Sequence, residues 1–517
     1  MPLPNYDPKT PWIPKSWNKI YAGYTYHSAW YSGDVQMLQA VHGARIGPSP
    51  INAFWAKAED TVDYITKIHI PVAGDIAGAS ADLLFGETPE VIISEAEGME
   101  NTPEATKTQE RLDEIIKDGG VANRLLEAGE TCAGLGGVFL KVVWDKAVAP
   151  YPILAVVQVD AAIPEFKWGI LTAVTFWRVI KTDNGIYYRH LERHEIGRIY
   201  NGLYKGTKDE LGKQIGLTNS LETANLQDIE ITGIDDLLVR YVPNMRPNRV
   251  HRGSAVGQSD YAGAEALMNA LDETFTSWMR DIRLGRGRVI VPDTYLDWDD
   301  KGQNPTFNVD KEIFTAISAD PMTSDKAGIT INQFAIRMGE HRDTALELLD
   351  RIVTHAGYSP QTFGLKMEGR AESGTALNIR ERRTFSTKAK KERYWKTALE
   401  DIFEMMLAID KLHLGGSASI IKPNVKMSDG IQTDQMTLAN TIKLFNDAQA
   451  LSIDTKVRMI HTDWSEEQII AEKDAIMAEQ GLLEPTPEDL NEIEVGNDDS
   501  DIETSPTLVP PNGDDEE

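Results

Sequence analysis

Gly357-Tyr-Ser-Pro-Gln-Thr-Phe-Gly364, followed by Ser373-Gly-Thr-Ala-Leu-Asn-Ile-Arg380 and a lysine-rich run to Lys396, is the turning point of this 517-residue chain. The glycine-rich stretch 357–374, with Gly364, Lys366, Gly369 and Arg370, joins one helical pattern to another. The next stretch, 373–396, has no proline, and its only glycine is Gly374. Eight cations there (Arg380, Arg382, Arg383, Lys388, Lys390, Lys391, Arg393, Lys396) oppose Glu381 and Glu392, a local charge of +6. Ala389, Ala398, Leu399, Ile402, Met405, Met406 and Ile409 carry a helical spacing toward Leu412, and Gly415-Gly416 stop it. A helix over 373–413 would be about 60 Å long at ~1.5 Å per residue, so it should kink or run along an assembly axis. Its cations should lie near nucleic-acid phosphates or pair with acidic groups of neighbouring subunits.

Working outward, the N-terminal side holds two more amphipathic helices. Ala264, Leu267, Met268, Leu271, Phe275, Trp278, Met279 and Ile282 fall at steps of three and four, ending at Gly285. Met338, Leu346, Leu349, Ile352 and Val353 do the same, closing at Gly357. About 50 polar, turn-rich residues with short strand-like runs separate them. Earlier still lies a mixed body. Helices are expected over 75–85, 108–117 and 123–131, and strands over 89–93, 134–144, 153–159, 171–180 and 186–200, with Asn184-Gly185 as a hairpin turn. Residues 1–50, rich in proline and aromatics, read as an arm packing on something, such as a neighbouring subunit. On the C-terminal side, Met436, Ala439, Ile442, Phe445 and Ala448 share a helix face, Ser452 starts a short helix, and Ser465-Glu-Glu-Gln468 is a capping box.

The whole chain carries −28, with 80 acidic against 52 basic side chains. That argues against a surface that grips DNA everywhere. Thirteen of the acids lie in 482–517 without a single Lys or Arg, leaving −15 on the rest. This proline-containing tail is expected to be disordered, as a solubilising segment or a dock for a basic partner. One cysteine, Cys132, excludes an intrachain disulfide and a cysteine zinc site. With no apolar run of ~18 residues and no secretory signal pattern, a soluble, intracellular-type protein of roughly three domains is expected.

Enzyme motifs fail one by one. His190 and His194 have the spacing of helical zinc ligands, but they fall in a strand pattern, which sets them over about 13 Å apart at ~3.3 Å per residue. Gly206–Lys213 has the wrong spacing for a phosphate loop and reads as a surface turn. Ala133-Gly-Leu-Gly-Gly137 precedes a strand rather than a helix, against a dinucleotide site. Cys132 lies among small apolar residues and reads as buried. Asp and Glu are too numerous to pick out a catalytic pair. No catalytic residue, metal ligand or cofactor is therefore assigned. The alternative is a metal-dependent nucleic-acid enzyme using the basic 375–396 helix to hold DNA.

The order of parts resembles tailed-bacteriophage portal proteins of the long non-contractile-tailed type. Four stretches carry the likeness: Ala79-Ser-Ala-Asp-Leu-Leu-Phe-Gly-Glu-Thr-Pro89; Gln258-Ser-Asp-Tyr261 with its helix and Arg288-Val-Ile-Val-Pro292; the 357–380 stretch with its lysine-rich helix; and Ala450-Leu-Ser452 with Trp464-Ser-Glu-Glu-Gln-Ile469. Val256-Gly-Gln-Ser-Asp260 stands where the family carries Tyr-Gly-x-Ser-Asp. The resemblance implies an α+β, predominantly helical subunit of a ring, typically dodecameric, around a central DNA tunnel at one capsid vertex. Its parts would be an arm (1–55), a wing (56–255), a stem helix (256–285), a clip (286–336), a second stem helix (337–356), a tunnel loop (357–374), a long kinked helix (375–416), a crown (417–482) and the acidic tail (483–517). It places Lys366 and Arg370 near DNA. It leaves Arg380, Arg383, Lys388, Lys390 and Lys391 facing either DNA or the next subunit. Implied partners are double-stranded DNA, the large terminase, the major capsid and scaffolding proteins and a head–tail adaptor, with no membrane. The implied location is the virion, after assembly in the host cytoplasm.

Overall fold

The computed structural model describes residues 3, 11–44, 67–93, 102–285, 288–290, 297–298, 305–306, 330–332, 336–365, 374–427, 442–448, 450–461, 464 and 466–479. The acidic tail and the Ser465 end of the capping box lie outside the described residues. The chain forms two units, residues 1–430 and 431–517.

The described residues include the helices α1 (Asn18–Ser32), α2 (Val35–Ala44), α3 (Val72–Phe85), α4 (Pro103–Asp118), α5 (Val121–Leu135), α6 (Glu265–Leu284), α7 (Met338–Ala356), α8 (Gly374–Ile409), α9 (Ile453–Ile460) and α10 (Glu466–Glu479). With no proline or internal glycine to break it, α8 runs for 36 residues, then widens into a π turn at Asp410–Leu414 and stops at Gly415, φ 85°. Its C-terminal half is the axis of the largest core. Trp395, Leu399, Ile402, Phe403, Met406 and Ile409 are buried against α3, α4, α5 and the neighbouring strands. Phe85 meets Trp395 edge-on at 4.8 Å, an arrangement aromatic quadrupoles favour. The end of the helix is tied down by Arg111 of α4, whose Nε and Nη2 donate to the buried Asp410 carboxylate at 3.0 and 2.8 Å.

Fifteen described strands accompany these helices. The three-stranded sheet β10-β2-β3 (Val239–Pro243, Gly137–Val143, Ile153–Gln158) packs against α5 and α8. The larger sheet is an antiparallel meander of β4 (Ala162–Lys167), β5 (Ile170–Asp183), β6 (Ile186–Glu195), β7 (Arg198–Gly206) and β8 (Lys213–Ile215), with β9 (Ile229–Ile231) on β7. Asn184-Gly185, both at positive φ (47° and 78°), make the β5–β6 turn the sequence predicts. The expected single strand over 186–200 is instead two, folded back at Ile196-Gly197, where Glu195 pairs with Arg198 and Gly197 takes φ 78°. The glycine supplies a backbone state a β-branched residue resists. Across the length of the chain, β1 (Glu90–Ile92) pairs with β15 (Asn424–Lys426). Between α6 and α7, β11 (Arg288–Ile290) pairs with β14 (Thr330–Asn332), and β12 (Asp297–Trp298) with β13 (Pro305–Thr306), matching the strand-like runs expected there.

The described part of the N-terminal arm packs on its own chain. Tyr21 and Tyr24 of α1 bury against Phe139, Val174 and Phe176, and Tyr26 and Trp30 against α3, α6 and α7. The aromatics that made the arm look adhesive are thus core residues. In the second unit, Ser452 Oγ accepts from the Thr455 amide at 3.2 Å to cap α9, as its position before an apolar-periodic run predicts.

Candidate functional site

The first three stretches that carry the family likeness meet at one buried ion pair. Asp260, just before α6, is held in place by its own amide, which donates to the Ala133 carbonyl at 3.1 Å. Its Oδ1 accepts from Asn244 Nδ2 at 2.7 Å, and its Oδ2 from Tyr358 Oη at 2.7 Å and Lys391 Nζ at 2.6 Å. The Lys391 ammonium also donates to Ser80 Oγ at 2.6 Å and Tyr358 Oη at 2.9 Å. Each of its three N–H donors therefore has an acceptor. The side chains of Lys391 and Asp260 are 2% and 0% exposed. Burial pushes the Lys391 ammonium down, but the Asp260 carboxylate and the Tyr358 hydroxyl outweigh it and hold it above its ordinary value. Burial and the nearby carboxylate push the Tyr358 phenol up. Both carboxylate oxygens are engaged and every donor of the ammonium is satisfied, so the arrangement works as a clamp. It joins α3, the start of α6, the turn after α7 and the middle of α8.

Beside the clamp lies an open cleft of about 580 Å³. Arg249, His355, Arg382, Arg383 and Lys390 line it, and Asp260 forms part of its floor. Arg249, Arg382, Arg383 and Lys390 are exposed and make no ion pair within the described residues. Asp260 cannot serve as their counter-charge because Lys391 already neutralises it.

The basic stretch thus divides by face. Arg383 and Lys390 look into the cleft. Lys391, expected to face DNA or the next subunit, is inside the protein, because Asp260 offers a buried carboxylate that an outward lysine would leave unpaired. Lys388 is buried as well, 5% exposed, with Nζ 3.6 Å from Glu392. Its ammonium is therefore also withdrawn from any partner surface. Arg380 lies in the first turns of α8, and its side chain is outside the described residues. Lys366 and Arg370 lie outside the described residues. Sequence reasoning touched Ser80, Asp260 and Tyr358 without giving them a role, and did not single out Arg249 or His355. One signal was present: counting backward from Ile409, Met406, Ile402 and Leu399 by threes and fours lands on Trp395, Lys391, Lys388 and Thr384, all buried.

The refused motifs keep ordinary structural roles. Gly206 and Lys213 end and begin the strands of the β7–β8 hairpin, and Cys132 is 1% exposed, its thiol pushed up by burial. His190 and His194 both lie on β6. His190 Nε2 meets Asn201 Oδ1 at 3.1 Å and His194 Nε2 meets Glu192 at 2.6 Å. Burial lowers both histidines. For Glu192 burial acts upward, but the Lys141 ammonium and His194 outweigh it and hold the carboxyl well below its usual range. All three shifts have the same sign: protons bind the unfolded chain more readily than the folded one. Stability from this sheet should be full above about pH 6.5, fall as the histidines' lowered folded values are approached, and fall again below about pH 4.3. Thermal unfolding across pH 8 to 4 checks this, and His194→Gln should flatten the upper part of the profile.

The phage portal protein family of SPP1 Gp6-like type matches residues 13–455. Comparison with curated proteins finds no match. Among solved structures, the chain is similar to one from the virion of a native gene transfer agent particle, at 11% identity, covering 87% of this chain and 94% of that one with a TM-score of 0.36. It is also similar to one from the neck of such a particle, computed with C12 symmetry, at 10% identity, covering 78% and 90% with a TM-score of 0.34. The family match spans the clamp, the cleft and all the helices from α1 to α8, and on it this chain belongs to the SPP1 Gp6-like phage portal proteins.

Proposed function

We propose that this portal protein assembles into a ring, dodecameric in the virion, whose central tunnel admits DNA during packaging and releases it during ejection. The family match over residues 13–455 carries the reading. In it, 56–255 is the wing, α6 and α7 are stem helices, and the residues between them form the clip that meets the terminase and later the head–tail adaptor. Residues 357–374 form the tunnel loop, with Lys366 and Arg370 near DNA, and 417–482 form the crown. Scaffolding and major capsid proteins hold the ring at its vertex, and assembly takes place in the host cytoplasm. The protein itself catalyses nothing.

The physics supports a conduit. A translocating duplex must not stick, and each phosphate neutralised adds salt-dependent affinity. A chain of net charge −28, with 80 acidic against 52 basic side chains, repels and centres DNA instead. The clamp suits the same role, since it fixes both stem helices to α8 without a flexible joint. Sedimentation and negative-stain imaging of the full chain should reveal rings with a central hole; a protein that stays monomeric at every concentration, with or without scaffold, overturns the proposal. Lys366→Glu with Arg370→Glu should leave rings intact and lower packaged DNA at least tenfold; unchanged packaging removes the tunnel-loop assignment.

A further inference from the structure

The cleft at Arg249, Arg382, Arg383 and Lys390 collects cations from two places more than a hundred residues apart in sequence. One is the loop after β10, the other the outer face of α8. His355 forms part of the wall, its Nε2 3.2 Å from the Ala262 carbonyl. Four exposed cations without a counter-charge among the described residues repel one another, and the fold holds them together around a concave surface. An anionic occupant would complement that arrangement. We infer that the occupant is a carboxylate-bearing surface of a second copy of this chain, making the cleft one half of the subunit contact in the ring.

Carboxylates are favoured over phosphate on two grounds. A ring is built from heterologous contacts, in which one patch of a subunit meets a different patch of the next. Copies of net charge −28 repel, so a closing contact needs a local site where the sign is reversed. The cleft is such a site, and the acidic surplus of the next copy supplies the complement. Second, a four-cation cleft engaged with duplex phosphates would hold DNA more tightly as salt falls, a brake on the passage proposed above. The clamp adds to the fit, since Lys391 neutralises the one carboxylate in the cleft floor and leaves the cations for an outside partner.

The inference rests on the ring reading, and its test separates the two. Full-length protein is prepared as wild type and as Arg382→Glu/Arg383→Glu, with folding checked by circular dichroism and thermal unfolding. Wild type that forms no rings refutes the ring reading itself. Where wild type forms rings, the variant should lose them at least tenfold while staying folded, and the loss should be reproduced in wild type by raising salt. Rings mixed from isotopically light and heavy subunits are then treated with a carbodiimide, which joins amines only to carboxylates in direct contact. Light-to-heavy crosslinks from Lys390 to an Asp or Glu are expected. Intact variant rings without such crosslinks overturn the inference, and if DNA packaging falls in those rings the occupant is phosphate. A variant that fails to fold is replaced by Lys390→Gln. There, a lower salt midpoint of ring assembly, with the light-to-heavy crosslink from Lys390 present in wild type, supports the inference. An unchanged midpoint with no crosslink in wild type overturns it.

Discussion

Lys391→Met should destabilise the larger unit by about 3–5 kcal/mol, the usual cost of removing one partner from a buried ion pair. The loss follows from what remains. Asp260 keeps its hydrogen bonds from Asn244 and Tyr358 but loses the cation paired with it, while its side chain stays fully enclosed. Ser80 and Tyr358 each lose a donor at the same time. A second change separates charge from packing. Lys391→Met with Asp260→Asn removes both charges, and an amide can still accept from Tyr358, so the double variant should recover more than half of the loss. The urea midpoint, followed by tryptophan fluorescence and circular dichroism, measures both. Equal losses in single and double variants would mean that shape rather than charge holds the four segments together. Because the clamp ties the ends of α6 and α7 to α8, the single variant should also shed rings at a lower temperature than wild type.

Apart from α1 and α2, which read only as part of an aromatic arm, the described helices were legible because their signals are local. The absence of proline and glycine from the interior of α8, the three-and-four spacing in α6 and α7, and the stop at Gly415 each lie within one element. The turn at Asn184-Gly185 was equally readable. The Ile196-Gly197 turn was not, since a lone glycine within an alternating run resembles a strand interior until pairing partners are known. The clamp was out of reach for a different reason. Ser80 and Lys391 are 311 residues apart, and Asp260 and Lys391 are 131 apart. No periodicity links them. Local charge counting even pointed the wrong way, since a lysine in a +6 run is assigned to the surface by default. Phase would have corrected it. Extending the apolar stripe of α8 backward places Lys391 on the inner face, where a lysine requires a buried carboxylate, and the Ser-Asp at 259–260 belongs to one of the stretches that carry the family likeness.

Gly257→Ala should cost at least about 3 kcal/mol, at or beyond the upper end of ordinary overpacking losses. Gly257 stands in Val-Gly-Gln-Ser-Asp, three residues before the clamp carboxylate. Its amide donates to Tyr241 Oη at 2.8 Å and its carbonyl accepts from Asn248 Nδ2 at 2.7 Å. A Cβ built there would fall within the radius of the Gly136 carbonyl oxygen and lie 2.9 Å from the Asn244 amide nitrogen and 3.1 Å from Pro243 Cβ. The first two are backbone atoms, and the Asn244 amide donates to that same Gly136 carbonyl at 3.1 Å, so neither can yield without breaking the junction of β2 and β10. The displacement would pass to Asn244, whose side chain holds Asp260, and so into the clamp. Gly253 is the control. It has a positive φ of 80° but nothing within 4 Å of its would-be Cβ. Gly253→Ala should therefore cost only about 1 kcal/mol, from backbone strain alone. Urea midpoints of the two variants side by side decide the matter. If Gly257→Ala is no worse than Gly253→Ala, the close approach does not matter and the packing argument for Gly257 fails.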